Sequence, residues 1–168
     1  PYYTVNTLLN QDQTDRYISL LEFDADITKD LKAIARLSQD QITTEQEIFN
    51  PLGAFDIAGN GRYVNVNSNS RTNNYDLILS YNKVLASTFD ISANVGLSRT
   101  KSTFKSSRAT GETFLIPNFF SLRNFVSTQI LPVAAESVSN SVFGSVTLGF
   151  NQVLFAELSA RNDWSSTL

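Results

Sequence analysis

The chain has 168 residues, a net charge of −3 at pH 7 and a charged fraction of only 17%. This length suits one domain, and the mildly acidic balance disfavours a nucleic-acid binder, which needs a basic surface. The absence of Cys and His excludes disulfides, thiol chemistry and His-dependent catalytic triads from this chain. Because no run of about 18 apolar residues occurs, the sequence predicts no transmembrane helix.

No motif in the sequence indicates catalysis or a cofactor. Paired carboxylates such as Asp24 and Asp26, or Glu45 and Glu47, are more typical of salt-bridged strand faces than of active sites. No EF-hand loop or comparable spacing of oxygen ligands occurs. The sequence therefore predicts a protein that is not an enzyme, and it singles out no cofactor and no metal site.

Six stretches alternate between apolar and polar side chains, which is the period of a β-strand. They cover about residues 16–27, 31–42, 74–85, 89–101, 141–151 and 154–164. If the first two form a hairpin, Glu22, Asp24 and Asp26 lie near Lys32 and Arg36, so that opposite charges offset each other on its polar face.

The fourth stretch has the cleanest alternation. Its apolar side chains are Phe89, Ile91, Ala93, Val95 and Leu97, and no charge interrupts them. A charge facing the middle of a lipid bilayer would cost about 2–4 kcal/mol. The uncharged face therefore suits contact with hydrocarbon.

Three aromatic residues stand where an apolar strand face would meet water. Tyr75 and Tyr81 are about 20 Å apart along one strand at roughly 3.3 Å per residue, close to the roughly 25 Å apolar band of a membrane barrel. Trp164 ends the apolar face of the last stretch. We predict that all three lie at membrane interfaces. The alternative is that the tyrosines pack across strands and that Trp164 belongs to an amphipathic strand of a soluble sandwich.

The connections between the stretches alternate strictly in length. Short polar turns are predicted at 28–30, 86–88 and 151–153, and long loops at about 43–73 and 102–140. Outer-membrane barrels have this arrangement, with short periplasmic turns and long extracellular loops. The second long loop also contains Pro117 and Pro132, which argue against a continuous central strand.

The long loops hold the candidate contact residues, which combine aromatic, amide and guanidinium groups. They are Asn118, Phe119, Phe120 and Arg123 in the second loop, and Arg62, Tyr63 and Asn65 in the first. Aromatic side chains beside amides suit sugar rings and peptide backbones, and aromatics with Arg also mark protein interfaces. The alternative is that the aromatic segment 114–120 packs onto neighbouring loops and contacts neither substrate nor partner.

Four segments resemble the SusC/RagA family of TonB-linked outer-membrane receptors, and they occur in the family's order. The strongest is Arg161-Asn-Asp-Trp-Ser-Ser-Thr-Leu168, which is similar to the signature RNDWSSTLP. Residues 1–6 with 15–17 are similar to NPYW…N…DR(F/Y), although Tyr3 stands in place of the Trp. Residues 74–83 resemble a barrel strand that ends in YNK, and residues 115–122 resemble the loop (V/I)PN(L/F)(Y/F)SL.

The resemblance implies that the chain supplies about six strands of a larger barrel, of 22 strands, whose plug domain lies outside this chain. It implies a Gram-negative outer membrane, with membrane lipids around the barrel and a SusD-like lipoprotein over its outer mouth. The substrate would be an oligosaccharide or oligopeptide, and the TonB complex would act through other parts of the parent chain.

The chain starts at Pro1, contains no Met and stops inside a motif, so we expect it to be a segment of a longer polypeptide. The alternative function is a free-standing soluble β-domain that binds a ligand or partner through its long loops.

Overall fold

The computed structural model describes residues 9–53, 59–85 and 88–167, which form a six-stranded sheet. The strands are β1 (Leu9–Thr28), β2 (Leu31–Asn50), β3 (Arg62–Leu85), β4 (Phe89–Phe114), β5 (Phe125–Phe150) and β6 (Leu154–Thr167). Each strand pairs with its neighbour in sequence, in an antiparallel, up-and-down arrangement. The predicted all-β, up-and-down fold class is therefore confirmed.

Helical structure is nearly absent from the described part of the chain. A 3-10 helix of three residues, Leu122–Asn124, precedes β5. None of the described residues form a helix of the length and apolarity needed to cross a membrane.

Some residues of the predicted turns and of the family-like segments lie outside the described residues. They are residues 1–6 of the first family-like segment, residues 86 and 87 of the predicted turn at 86–88, and Leu168. The predicted turns between β1 and β2 and between β5 and β6 lie within the described residues, and both are present.

Strands β2 and β3 are longer than the sequence predicts, because they are joined by residues 51–61 rather than by a loop at 43–73. The Asn- and Ser-rich start of β3 lacks the apolar alternation on which the prediction depended. However, a backbone ladder needs no apolar side chains, and polar side chains bond across the two strands. For example, Asn69 Nδ2 donates to Thr43 Oγ1 at 2.9 Å.

Strands β4 and β5 are likewise joined by residues 115–124 rather than by a loop at 102–140. Contrary to expectation, Pro132 lies inside β5. The register between β5 and β6 begins at the pair Ser137 and Thr167, so Pro132 has no partner in β6 among the described residues. Proline is tolerated along such a free edge, because its missing N–H removes no ladder bond there.

A tight turn joins β5 to β6 in a hairpin whose register pairs Phe150 with Leu154. Val153 N donates to Phe150 O at 3.0 Å. The two residues between them, Asn151 and Gln152, have positive φ angles of 51° and 58°. Positive φ at both central positions is the geometry of a type I′ turn, whose twist matches that of the flanking strands.

Contacts divide the chain into two compact units. The first unit comprises the described residues of 1–17, 41–70 and 104–135, and the second comprises those of 18–40, 71–103 and 136–168. The buried apolar side chains of the described residues are Tyr63, Val64, Ala109 and Phe125, and all four belong to the first unit. The described part of the second unit therefore has no buried apolar core.

In the second unit several apolar side chains of β3, β4 and β5 are more exposed than the residues on either side of them. Leu77 and Leu79 are 49% and 38% exposed, whereas Asp76 and Ser80 beside them are only partly exposed. We call the side of the sheet that bears these side chains its apolar face; its members include Leu77, Leu79, Val95, Leu97, Val142, Val146, Leu148 and Leu158. A sheet in a water-soluble domain shows the reverse, with its apolar face against a core.

On the opposite, polar face of the second unit, polar side chains of neighbouring strands form hydrogen bonds with each other. Ser98 Oγ donates to Asp76 Oδ1 at 2.5 Å, and Ser92 Oγ donates to Asn82 Oδ1 at 2.7 Å. Each bond joins β4 to β3. The polar side chains therefore satisfy one another across neighbouring strands, which reduces their need for water.

Opposite charges meet on the polar face of β1 and β2, as the sequence predicts. Lys32 Nζ lies 2.7 Å from Asp24 Oδ2, and Arg36 forms an ion pair with Glu22. Because solvent screens exposed pairs of this kind, each contributes little to stability. Their main effect is to neutralise charge along the strand.

Candidate functional site

Five aromatic rings pack together in the first unit, and we call them the ring cluster. They are Phe49 of β2, Tyr63 of β3, Phe114 at the end of β4, Phe120 of the following connection and Phe125 of β5. The rings of Phe114 and Phe125 stack with their centroids 4.8 Å apart, whereas Phe120 meets Phe49 edge-on at 5.1 Å. Such stacked and edge-to-face pairs add about 0.5–1.5 kcal/mol each to the gain from burial.

Two glycines make room for the ring cluster. A side chain at Gly61 would overlap the ring of Phe114, and one at Gly111 would overlap the ring of Phe125. Gly61 also has a φ of 83°, a conformation that other residues rarely adopt. The glycines therefore allow rings from adjacent strands to approach the backbone closely.

The connection of residues 115–124, which we call the 115–124 loop, is held in place by Asn124. The side chain of Asn124 is buried and makes three hydrogen bonds. Its Oδ1 accepts from Ile116 N at 2.9 Å, and its Nδ2 donates to Ile116 O and Phe119 O, both at 2.7 Å. These bonds fix the first half of the loop against its last residue.

The 115–124 loop presents apolar and polar groups outward. Leu115, Ile116 and Phe119 are each more than half exposed. Asn118 and Arg123 are exposed beside them. Asn118 Oδ1 also accepts from Leu52 N at 3.0 Å, so the loop is bonded to the connection between β2 and β3.

Tyr63 is the polar member of the ring cluster. It is buried, and its hydroxyl donates to Glu47 Oε1. Burial, followed by the hydrogen bond to the Glu47 carboxylate, raises the pKa of Tyr63 to about 12. Tyr63 therefore keeps its proton and remains a donor throughout the physiological pH range.

The structure places the seven predicted contact residues in different surroundings. Tyr63 and Phe120 belong to the ring cluster, so they support the loop from below its exposed surface. Asn118, Phe119 and Arg123 lie on that exposed surface. The predicted alternative, in which the aromatic segment packs down, describes Phe114 and Phe120, but it does not describe Phe119.

The other two predicted residues lie on β3 and face acidic partners. Arg62 Nε is 3.9 Å from Glu112 Oε1, and this buried nitrogen makes no hydrogen bond with the described residues. Asn65 Nδ2 donates to Glu45 Oε1 at 3.2 Å. Both residues are thus tied to neighbouring strands. Contact between any of the seven residues and a substrate or partner stays a prediction.

Sequence reasoning missed Asn124 and the rings of Phe49 and Phe125. The signal for Asn124 is weak, because a single amide in a loop is common. The rings could have been found only with the correct strand pairing. The sequence predicts a loop at Phe49, so it does not predict that Phe49 lies beside Tyr63 on the adjacent strand.

Two of the three predicted interface aromatics line one groove in the second unit. Tyr75 and Trp164 both border this groove, which has a volume of about 390 Å³, whereas Tyr81 does not line it. Asn140, another lining residue, is the register partner of Trp164. Within the described ranges, no group of three or more acidic side chains could hold a metal ion.

Replacing Asn124 with Ala tests the support of the 115–124 loop. The change removes three hydrogen bonds, so we expect the loop to lose about 1–3 kcal/mol of local stability. Hydrogen exchange of the loop amides in the full-length polypeptide measures this loss. The control is Arg123→Ala, which removes an exposed neighbouring side chain. Equal exchange in both variants would contradict the role assigned to Asn124.

The raised pKa of Tyr63 predicts a pH-dependent stability. Because the folded-state pKa of about 12 exceeds the ordinary value of 10.0, the folded protein binds this proton more tightly than the unfolded one. The stability that the folded protein gains by holding the Tyr63 proton is fully present below about pH 10 and is lost as the pH rises to about 12. We expect the wild type to lose stability relative to Tyr63→Phe over this window. Urea unfolding of both proteins measures the difference, and a constant difference would refute the prediction.

Comparison with known proteins shows the fold. No family model and no curated protein matches the chain. Among solved structures, the chain matches "Structure of the RagAB peptide transporter" with a TM-score of 0.89 at 15% identity. It also matches the RagAB peptide importer in its 'open-open' state, with a TM-score of 0.90, and in its 'closed-closed' state, with 0.84, both at 16% identity.

The matches cover nearly all of this chain but a small part of the others. In each case 98% of this chain is aligned with 19% of the solved chain, so this chain spans about a fifth of the length of those neighbours. The chain therefore shares its fold with about a fifth of a chain in each of these solved structures.

Proposed function

We propose that this chain forms part of the wall of a β-barrel in a Gram-negative outer membrane, within a TonB-linked importer of the SusC/RagA type. The importer takes up oligopeptides or oligosaccharides together with a SusD-like surface lipoprotein. The TonB complex acts through parts of the parent polypeptide outside this chain. The observation that carries the proposal is the exposure of the apolar face in the second unit.

The apolar face favours lipid as its neighbour. Fully burying one large apolar side chain contributes about 1.5–3 kcal/mol, so a whole face left in water would be strongly unfavourable. A bilayer supplies apolar surroundings for this face, whereas the self-bonded polar face suits the interior of a barrel.

A soluble β-domain fits the described residues less well. Such a domain needs a second layer that covers its apolar face. In the described part of the second unit no apolar side chain is buried, and β1 and β6 are exposed along their described lengths.

The two exposed edge strands support membership of a larger barrel. Unpaired backbone groups cost several kcal/mol in lipid, so only a closed sheet is stable there. Further strands must therefore pair with β1 and β6. The fold likeness to about a fifth of a transporter chain agrees with this requirement.

The oligopeptide is the preferred substrate class, because the solved neighbours are a peptide transporter and a peptide importer. The 115–124 loop supplies the contact surface in this proposal. Its exposed Phe119 and Ile116 would pack against apolar parts of a substrate or of the lipoprotein, and Asn118 and Arg123 would bond polar groups. The ring cluster and Asn124 hold these groups in position beforehand, which reduces the entropy lost on binding.

Single cysteines in the full-length polypeptide test the membrane placement. This chain has no Cys of its own, so each introduced thiol is the only one within it, and the unsubstituted polypeptide gives the background labelling. We expect Val95→Cys and Leu97→Cys to react about tenfold more slowly with a water-soluble maleimide than Asn94→Cys and Ser98→Cys, because a thiol surrounded by lipid does not ionise readily. The measurement uses outer-membrane fractions. Fast labelling at Leu97→Cys would overturn the membrane proposal.

Uptake assays test the import function. In cells that express the full-length polypeptide, we expect Phe119→Ser to lower uptake of labelled oligopeptides by about tenfold, as for an aromatic anchor of an interface. Ile130→Ser is the matched control, because Ile130 is 61% exposed and Phe119 is 57% exposed. If neither oligopeptides nor oligosaccharides accumulate in wild-type cells, the import function is wrong.

A further inference from the structure

The groove of about 390 Å³ in the second unit combines an apolar floor with one cation. Tyr75, Leu97 and Val142 contribute apolar surface, and Trp164 stands beside its register partner Asn140. The cation is Arg99, which is exposed. Most of these side chains belong to the apolar face, so the groove opens on the side that the proposed function turns towards lipid.

The groove lies on the face of the sheet and not on its edge. Its lining comes from β3, β4, β5 and β6, and β4 and β5 are inner strands with neighbours on both sides. Additional strands that pair with the open edge of β6 would extend the sheet sideways. They would not cover this groove, so its occupant must approach from the lipid side.

Arg99 marks the end of the uncharged band on β4. From Phe89 to Leu97 the apolar face of this strand carries no charge, and Arg99 is the next residue on that face. At roughly 3.3 Å per residue, Arg99 is about 33 Å along the strand from Phe89. Because barrel strands are tilted by about 35–45°, this length spans about 25 Å across the membrane. It therefore matches the height of the apolar band of a membrane barrel, and Arg99 reaches the headgroup level.

No acidic side chain of the described residues neutralises the charge of Arg99. Lys101, the next cation on the same face, lies 2.8 Å from Glu136 Oε1. Arg99 has no ion-pair partner among the described residues, whereas Lys101, two residues further along the same strand, forms an ion pair with Glu136. An unpaired guanidinium beside an apolar groove favours an anion that carries its own apolar chain.

We infer that this groove binds a phosphorylated lipid of the outer leaflet, with an acyl chain along Tyr75, Leu97 and Val142 and a phosphate at Arg99. The inference rests on the membrane placement in the proposed function, which puts the short turns in the periplasm and Arg99 at the outer surface. Guanidinium groups bind phosphate oxygens bidentately. Tyr75 and Trp164 suit the same depth, because their rings combine an apolar body with a polar tip.

Native mass spectrometry of the full-length polypeptide in detergent tests this site. The probe is a bisphosphorylated, multiply acylated glycolipid, titrated beside its dephosphorylated form. We expect Arg99→Gln to weaken binding of the phosphorylated lipid about fivefold, which corresponds to about 1 kcal/mol for one cation near a lipid surface. Arg99→Lys should retain most of the binding. The dephosphorylated lipid should bind the wild type about as weakly as the phosphorylated lipid binds Arg99→Gln.

The matched control is Lys105→Gln. Lys105 is an exposed cation on the same strand and has no ion-pair partner among the described residues. We expect Lys105→Gln to bind the lipid like the wild type. An equal loss in both variants would show a general charge effect and overturn the site. Unchanged binding in Arg99→Gln, or displacement of the lipid by millimolar inorganic phosphate, would also overturn it.

A gel-mobility shift on heating, measured for each variant, distinguishes failure of the lipid site from failure of the proposed function. A variant that shifts in gel mobility on heating, as folded membrane barrels do, is folded, so its loss of lipid binding concerns the groove. If the wild type is absent from outer-membrane fractions, the proposed function fails before the lipid site is tested. If the wild type is present and folded but binds no phosphorylated lipid, only the lipid site fails.

Discussion

Backbone hydrogen bonds between neighbouring strands hold this sheet together, because side-chain packing does so in only one part of it. The few buried apolar side chains all belong to the first unit. Elsewhere the described strands depend on their ladders and on polar side chains that bond across them, such as Ser98 to Asp76. Backbone bonds in water contribute only about 0.5–1.5 kcal/mol each, but in hydrocarbon an unpaired group has no substitute partner. A sheet of this kind is therefore far more stable in lipid than in water.

The two units are stabilised by different interactions, although most of the strands run through both. In the second unit, ion pairs such as that between Lys32 and Asp24 offset part of the charge on the polar face. In the first unit, aromatic rings take over the role of a core and hold the 115–124 loop. The second unit thus exposes an apolar face, whereas the first unit presents a mixed surface on a loop that packed rings support.

The sequence predicts the strand faces well because the period of two is a local property. The pairing of Glu22 with Arg36 and the turn at 151–153 follow from the same local reasoning. The ends of the strands could not be predicted in this way, because Asn- and Ser-rich segments lose the apolar alternation while their backbone still pairs. The prediction that Pro132 interrupts the strand fails for a related reason. A proline is tolerated where a strand has no partner on one side, and only the register shows where that is.

The candidate site was predictable only in part. The loop that carries Phe119 and Arg123 could be identified because it resembles a family motif and is rich in aromatic residues. The ring cluster depends on which residues of adjacent strands lie side by side, such as Phe49 and Tyr63. That information depends on the register, which a single sequence specifies weakly where both faces are polar.

The order of the strands in the sheet also has a consequence for how the molecule forms. Every strand pairs with the one that precedes or follows it in sequence. No pairing requires distant parts of the chain to find each other, so the entropy lost in closing each loop stays small. Growth by one hairpin after another is therefore open to this chain at every stage, and a partly built sheet already has the correct neighbours for the next strand. The connections between β1 and β2 and between β5 and β6 are two and three residues long, so both of these hairpins form by very local steps.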